Sequence, residues 1–334
     1  MGGDQAPAAI VQGAVLAART FKDELEIILV GEEPAITPHL SASERVALGI
    51  ELVHSTETIG MSEAAPSAYR RKPGASISVA ARLVKDGAAD ALVSAGNTGA
   101  VVTASLLCLG RVRGVDRPAI ASIIPTRTGQ CILLDVGANA DTKSQHLVQF
   151  ALMGKIYAEL VQGIAQPRVG LLNIGEESSK GSELTQQAHK CLANGAVNIH
   201  FIGNVEGRDV LTGEADVVVC DGFTGNVLLK FAESVIGLTT TLLRQELERS
   251  LLFKLAALLL KPAFQRLKNR MNYEEYGGAP LLGVNGAVII AHGRSSPKAI
   301  MNAIRVAAMG ARQRVDVRIG EELAREFHRQ EAVS

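Results

Sequence analysis

With 34 Lys+Arg against 34 Asp+Glu in 334 residues, the chain has no overall field to attract nucleic acid, and any basic site must be local. Hydrophobic residues make up 47% but aromatics only 4%, with no Trp, so the core has to be built from Ala, Val, Leu and Ile, as in α/β proteins with parallel sheets. No stretch reads as a signal peptide, no apolar run approaches the roughly 20 residues that cross a bilayer, and Cys108, Cys131, Cys191 and Cys220 lack metal-ligand spacing and read as reduced thiols of a cytosolic protein.

Met1-Gly-Gly-Asp-Gln-Ala-Pro7 reads as a loop that ought to follow a strand, with Pro7 opening a helix over 8–19. Apolar runs at 25–31 and 50–54 predict strands. Between 55 and 74 the chain is polar and irregular, and Arg70, Arg71 and Lys72 form a basic cluster that is either a solvated surface or a contact for an acidic partner. A helix is expected over 76–86 and a buried strand over 88–94. The turn Ala95-Gly-Asn-Thr-Gly99 leads straight into a helix over 100–109. Backbone N–H groups at Gly96, Asn97, Thr98 and Gly99 suit an anion there, unless the turn is only structural.

Ile132-Leu-Leu-Asp-Val-Gly-Ala-Asn-Ala-Asp-Thr-Lys143 repeats this grammar and is the centre of the sequence. It opens as a strand buried on both faces, breaks at Gly137, Asn139 and Asp141, and re-enters order at Thr142 or Ser144, either a competent N-cap. A strand end facing a helix start is where open α/β sheets bind ligands. Further strands are predicted at 168–174, 198–202 and 215–220. The first ends in a loop carrying Lys180, and the last in the turn Asp221-Gly-Phe-Thr-Gly-Asn226, before a helix over 227–248. The segment 250–271 is rich in Leu, contains Lys254, Lys261, Arg266, Lys268 and Arg270, and has no acidic residue. It reads as an amphipathic helical hairpin broken at Pro262, serving a dimer, a membrane surface or both. The run 281–291 predicts a β-hairpin with a type I′ turn at Asn285-Gly286, ending at His292. Ser296 then caps, and Pro297 opens, a long terminal helix.

Nearly end to end, these motifs resemble the phosphate acyltransferases of bacterial phospholipid synthesis (PlsX). The resemblance is carried by Met1-Gly-Gly-Asp-Gln-Ala-Pro7, Val93-Ser-Ala-Gly-Asn-Thr-Gly-Ala100, Leu133-Leu-Asp-Val-Gly-Ala-Asn139, Leu171-Leu-Asn-Ile-Gly-Glu-Glu177 with Lys180-Gly181, Asp221-Gly-Phe-Thr-Gly-Asn226, and Gly277-Gly-Ala-Pro-Leu-Leu-Gly283 with His292-Gly293. It implies an α/β/α sandwich of the isocitrate dehydrogenase and phosphotransacetylase type, one unit of two intertwined lobes over 1–334, dimeric, with the site in the cleft between the lobes. It implies attack of inorganic phosphate on the thioester of a long-chain acyl-acyl carrier protein. Two departures stand out. The short strand ending in Leu-Asp-Ala that precedes Gly-Gly-Asp in the family is not seen, which suggests a late-called start or a truncation, and Pro73-Gly-Ala-Ser76 replaces a more usual Ser-Ser or Thr-Ser.

Such a reaction needs a dianion held against a carbonyl, so positioning and electrostatics should dominate. Gly96–Gly99 and Gly137–Asn139, with the amides of Asn97, Asn139 and Asn226, are the candidates for phosphate and the oxyanion. Lys180 would neutralise phosphate, Asp135 and Asp221 would orient Lys180 or a loop, and His292 would share a proton unless it is structural. Arg70, Arg71 and Lys72 are expected against the acidic carrier. Leu255, Leu258, Leu259, Lys261, Arg266 and Lys268 are expected at an anionic membrane surface, where a membrane glycerol-phosphate acyltransferase would take the product. No metal and no cofactor are expected. A phosphotransacetylase-like enzyme using acyl-CoA and a non-catalytic membrane scaffold are the alternatives; no Gly-x-Gly-x-x-Gly turn supports a nicotinamide dehydrogenase.

Overall fold

The computed structural model describes residues 1–22, 24–271 and 276–331, leaving aside the side chains of 268–271, 330 and 331. In chain order the elements are α1 (Ala8–Thr20), β1 (Ile27–Gly31), α2 (Glu33–Ile36), α3 (Ala42–Ala47), β2 (Ile50–His54), α4 (Ala65–Arg71), α5 (Ser76–Lys85) and β3 (Ala91–Ser94). There follow α6 (Thr98–Ala104, prolonged by a π turn to Leu109), β4 (Ala119–Pro125), β5 (Gln130–Leu134), α7 (Ser144–Val161), β6 (Arg168–Leu172), α8 (Glu183–Ala193), β7 (His200–Val205) and β8 (Val217–Val219). The chain ends with α9 (Gly222–Glu248), α10 (Leu251–Met271), β9 (Ala279–Leu282), β10 (Ala287–Ile290), α11 (Pro297–Arg312) and α12 (Val315–Glu331).

An eight-stranded sheet of order β3-β10-β9-β4-β5-β8-β6-β7 runs through the molecule, beside a parallel pair β1-β2. Its middle strands are the continuous apolar runs of the sequence. Side chains alternate between two cores: Ile132, Leu134, Val217 and Val219 face α7 and α8, while Cys131, Leu133, Val218 and Cys220 face α5, α6 and the start of α9. Helix α7 is buried along most of its length because it lies on the first of these faces, with α12 packed over it.

Several sequence expectations are corrected here. Strand β4 was not among the predicted elements. It joins the halves of the sheet, pairing antiparallel with β5 on one side and β9 on the other. Helix α4 occupies part of the supposedly irregular 55–74 stretch. The terminal helix is two helices, divided near Arg314, whose φ of 49° is left-handed. The β9–β10 hairpin is real, but its turn is not type I′. That turn needs positive φ at both central residues, and only Gly286 of the pair has it. Strand β9 leaves β10 to pair with β4 through Leu281 and Leu282, and Asn285 is drawn away to the Leu109 and Arg111 carbonyls.

The 250–271 segment is also no hairpin. α10 is one continuous helix with Pro262 inside it, and the hairpin is made by α9 and α10 together. α9 is in addition long and apolar enough, by length and composition, to cross a bilayer, which no run in the sequence had suggested.

The tightest helix contact is α1 on α11. A Cβ at Gly13 would lie 2.5 Å from Ile300 Cβ, so Gly13→Ala should destabilise the protein by about 1–3 kcal/mol through overpacking. Urea unfolding checks this; an unshifted midpoint would show that the two helices separate freely.

Candidate active site

The antiparallel β4–β5 pairing reverses the sheet. Strands β3, β10 and β4 run one way, and β9, β5, β8, β6 and β7 the other. The carboxyl ends of β3 and β10 therefore leave by one edge, and those of β5, β8 and β6 by the opposite edge. The motif residues divide accordingly into two groups.

The first group gathers Gly2–Asp4, Gly60–Glu63, Ala95–Gly99 and His292–Arg294. Asp4 N–H donates to the Gly293 carbonyl at 2.9 Å. The Asn97 amide is already employed: Nδ2 reaches the Gly60, Met61 and Glu63 carbonyls at 2.9–3.3 Å, and Oδ1 caps α6 by accepting from Ala100 N–H. What this turn can offer an anion is instead the N–H groups of Thr98 and Gly99, which open a helix and have no intrahelical acceptor. Lys72 is likewise engaged, pairing with Glu63 at 2.7 Å and donating to the Thr58 carbonyl. The Lys72 hydrogen bond, then that from Gly60 N–H, holds the Glu63 carboxyl below its usual range. Arg70 and Arg71 stay exposed at the end of α4. The Nδ1 of His292 accepts from Arg294 N–H, so the neutral ring carries its proton on Nε2.

The second group is built on Asp135. Its side chain is fully buried and accepts five hydrogen bonds, from the N–H groups of Ile120, Gly137, Ala138 and Asn139 and from Asn139 Nδ2, at 2.8–3.1 Å. Burial pushes its carboxyl up, while the bonds from Ala138, Asn139 and Ile120 pull it back. Here the expected symmetry between the two Gly/Asn turns fails. The 137–139 N–H groups belong to Asp135, and the Asn139 amide is shared between Asp135 and the Pro118 carbonyl. Asp135 therefore shapes the turn, and none of its hydrogen bonds comes from Lys180. Asp221-Gly-Phe-Thr-Gly-Asn226 is not a loop either. Asp221 caps α9 through Thr224 N–H and Oγ1, and the helix begins at Gly222.

Three helix starts converge at this edge: α7 after β5, α8 after β6 and α9 after β8. α7 and α9 follow adjacent parallel strands yet pack on opposite faces, which makes the gap between them a switch-point crevice. Lys180 comes from the loop after β6, the strand next to β8; that loop is tied by Asn173 Nδ2, Asn204 Nδ2 and Gln186 Nε2, and Lys180 forms no ion pair among the described residues. Asn226 lies against Gly137, whose positive φ of 137° is the reason a glycine stands there. His146, buried in the first turn of α7, was absent from the sequence candidates.

From this edge α9 and α10 project as an arm. Phe223, Val227, Phe231, Val235, Leu238 and Leu242 form an exposed stripe at helical spacing on α9. Leu255, Leu258 and Leu259 are exposed on α10, as are Lys261 and Arg266; the Lys268 side chain lies outside the described ones.

The family model described as fatty acid synthesis protein matches residues 1–318. A phosphate acyltransferase of Heliobacterium modesticaldum is 54% identical over 324 residues, covering 97% of this chain and 96% of that one. Another from Geobacter sulfurreducens is 49% identical over 327 residues, covering 98% and 93%. Among solved structures, EutD phosphotransacetylase from Staphylococcus aureus aligns with a TM-score of 0.57 at 20% identity, over 91% of this chain and 92% of that one. A branched-chain phosphotransacylase from Enterococcus faecalis V583 gives 0.56 at 16%, over 93% and 96%. The chain thus belongs to the fatty acid synthesis protein family and has the phosphotransacetylase-like fold. Within that family it is a phosphate acyltransferase, and a non-catalytic scaffold is set aside.

Asp135→Asn would turn an N–H donor toward backbone N–H donors and should cost about 2–4 kcal/mol. Asp221→Asn keeps a competent cap and should cost under about 1 kcal/mol. Denaturant unfolding of the two variants checks the contrast; equal losses would mean that the Asp135 network is not what holds the turn.

Proposed function

We propose that the enzyme transfers a long-chain acyl group from acyl-acyl carrier protein to inorganic phosphate. The observation that carries this reading is the convergence of the α7, α8 and α9 starts beside Lys180, which concentrates positive dipole ends and an ammonium around one crevice. A phosphate oxygen attacks the thioester carbon, the C–O bond forms, and the carbonyl oxygen takes the charge. Collapse then breaks the C–S bond, giving acyl phosphate and the carrier thiolate, which accepts a hydrogen bond from His292 Nε2–H and takes its proton from water. No acyl-enzyme is invoked. Cys131 and Cys220 are buried, and burial pushes the Cys131 thiol up to about 12 and the Cys220 thiol well above its ordinary value.

In this reading Lys180 and Asn226 serve phosphate, the Thr98 and Gly99 N–H groups serve the oxyanion, and Arg70 and Arg71 meet the acidic carrier. Because the two groups leave by opposite edges, a homodimer that sets one protomer's β3/β10 edge against its partner's β5/β8 edge completes the site. The α9 stripe is the natural seam of that dimer. α10, basic and free of acids, lies on an anionic membrane, where a membrane acyltransferase consumes the acyl phosphate for phospholipid synthesis.

Two outcomes are expected. Purified enzyme consumes acyl-carrier thioester only with phosphate, and Lys180→Ala lowers the rate or raises the phosphate requirement by roughly one to three orders of magnitude. Mixing Lys180→Ala with His292→Ala restores up to about a quarter of the activity, because random pairing makes half the dimers mixed and each has one intact site. Preference for acyl-CoA over the carrier thioester would overturn the donor, and lack of complementation the shared site. Sedimentation with anionic liposomes tests the arm: wild type should pellet and Leu258→Glu stay in solution with its dimer intact. A wild type that never pellets would end the membrane reading.

A further inference from the structure

We propose that His146 is a positioning residue for phosphate, its ring Nδ1 fixing the 139–143 loop and with it the Lys143 ammonium beside the crevice. This rests on the functional reading above. The ring supplies one half of a capping box: Lys143 is the N-cap residue of α7, and its N–H donates to His146 Nδ1 at 3.1 Å. The rest of the loop is pinned in series. Thr142 Oγ1 donates to the Asn139 carbonyl, and Asn139 is held by Asp135. Ser144 Oγ lies 3.5 Å from Gln187 Oε1 on α8, whose neighbour Gln186 holds the Ser179 and Gly181 carbonyls on either side of Lys180. One run of contacts thus links Asp135, His146 and the Lys180 loop.

Nδ1 can accept only while that nitrogen is unprotonated. His146 is 7% exposed, and the charged groups facing it are Asp116 and Arg117 from the loop before β4, with Asp141 and Lys143 from its own loop. Burial foremost lowers its pKa, with Arg117 and Lys143 adding to the effect against Asp116 and Asp141. The neutral acceptor is therefore the resting form at neutral pH. A histidine whose folded pKa is depressed takes its proton more readily in the unfolded chain. Its stabilising contribution is present above the ordinary value of 6.5 and is lost as pH falls from there through the lower folded value.

The test compares wild type, His146→Gln and His146→Ala from about pH 5 to about pH 8, the range in which histidine titrates. Gln supplies a non-titrating acceptor at the same capping-box position. At neutral pH, Ala should raise the KM for inorganic phosphate about five-fold, the scale of a lost cap, and Gln should restore it. The acid-side rise in phosphate KM should shrink in Gln. Urea unfolding without substrate should show the same acid-side loss of stability in wild type but not in Gln. Folded Ala enzyme with a wild-type phosphate KM, or Gln and wild type with identical acid-side behaviour in both assays, would overturn the proposal. If wild type ignores phosphate altogether, the functional reading falls and phosphate positioning with it, while a urea result still reports whether the ring holds the loop.

Discussion

A single buried carboxylate organises the middle of this molecule. Asp135 directly follows β5 with no exposed surface and answers five donors. Desolvating a carboxylate is costly, and only such dense hydrogen bonding offsets it. The arrangement leaves the chain little freedom: the turn after β5 must wrap the carboxylate, and β4 must begin beside it through Ile120. The start of α9 follows the same surface. Gly222 donates to the Asn139 carbonyl, and a side chain at Gly225 would overlap the Asp135 carbonyl oxygen. The crevice, the arm and the reversal of the sheet all take their origin from this point.

Much of the architecture was legible in the sequence because burial on both faces leaves an unbroken apolar run, as in β5 and β8. Strand β4 escaped because Ala119-Ile-Ala-Ser-Ile-Ile-Pro125 is interrupted by small and polar residues and ends in proline. α4 escaped because Ala-Pro-Ser-Ala-Tyr-Arg-Arg buries only Ala65 and Ala68 fully and shows little helical periodicity. Pro262 misled in the other direction. It removes one hydrogen bond to residue 258, and α10 accommodates the loss without breaking.

The site was legible by location more than by role. Asn97 and Asn139 occupy look-alike turns, yet both spend their amides on backbone carbonyls or on Asp135. Which donors remain for a ligand depends on neighbours far away in sequence, such as Pro118 and Met61, and no local pattern records that. Lys72 shows the same thing, since Glu63 and the Thr58 carbonyl claim a cation that composition alone would assign to a partner. His146 was hidden by its apolar surroundings in α7, where a polar residue among Leu, Val and Phe reads as a tolerated exception.

The order of the sheet also governs when it can be completed as the chain leaves the ribosome. β3 stands at the edge and pairs with β10, which is synthesised near the end, and β4 waits for β9 on one side. β4, β5, β6, β7 and β8 pair among themselves and can assemble first. For most of synthesis β3 is then an open strand edge carrying Leu92 and Val93, a hazard for wrong pairing. Helices α5 and α6, made on either side of β3, are the elements placed to shelter it until the final strands arrive.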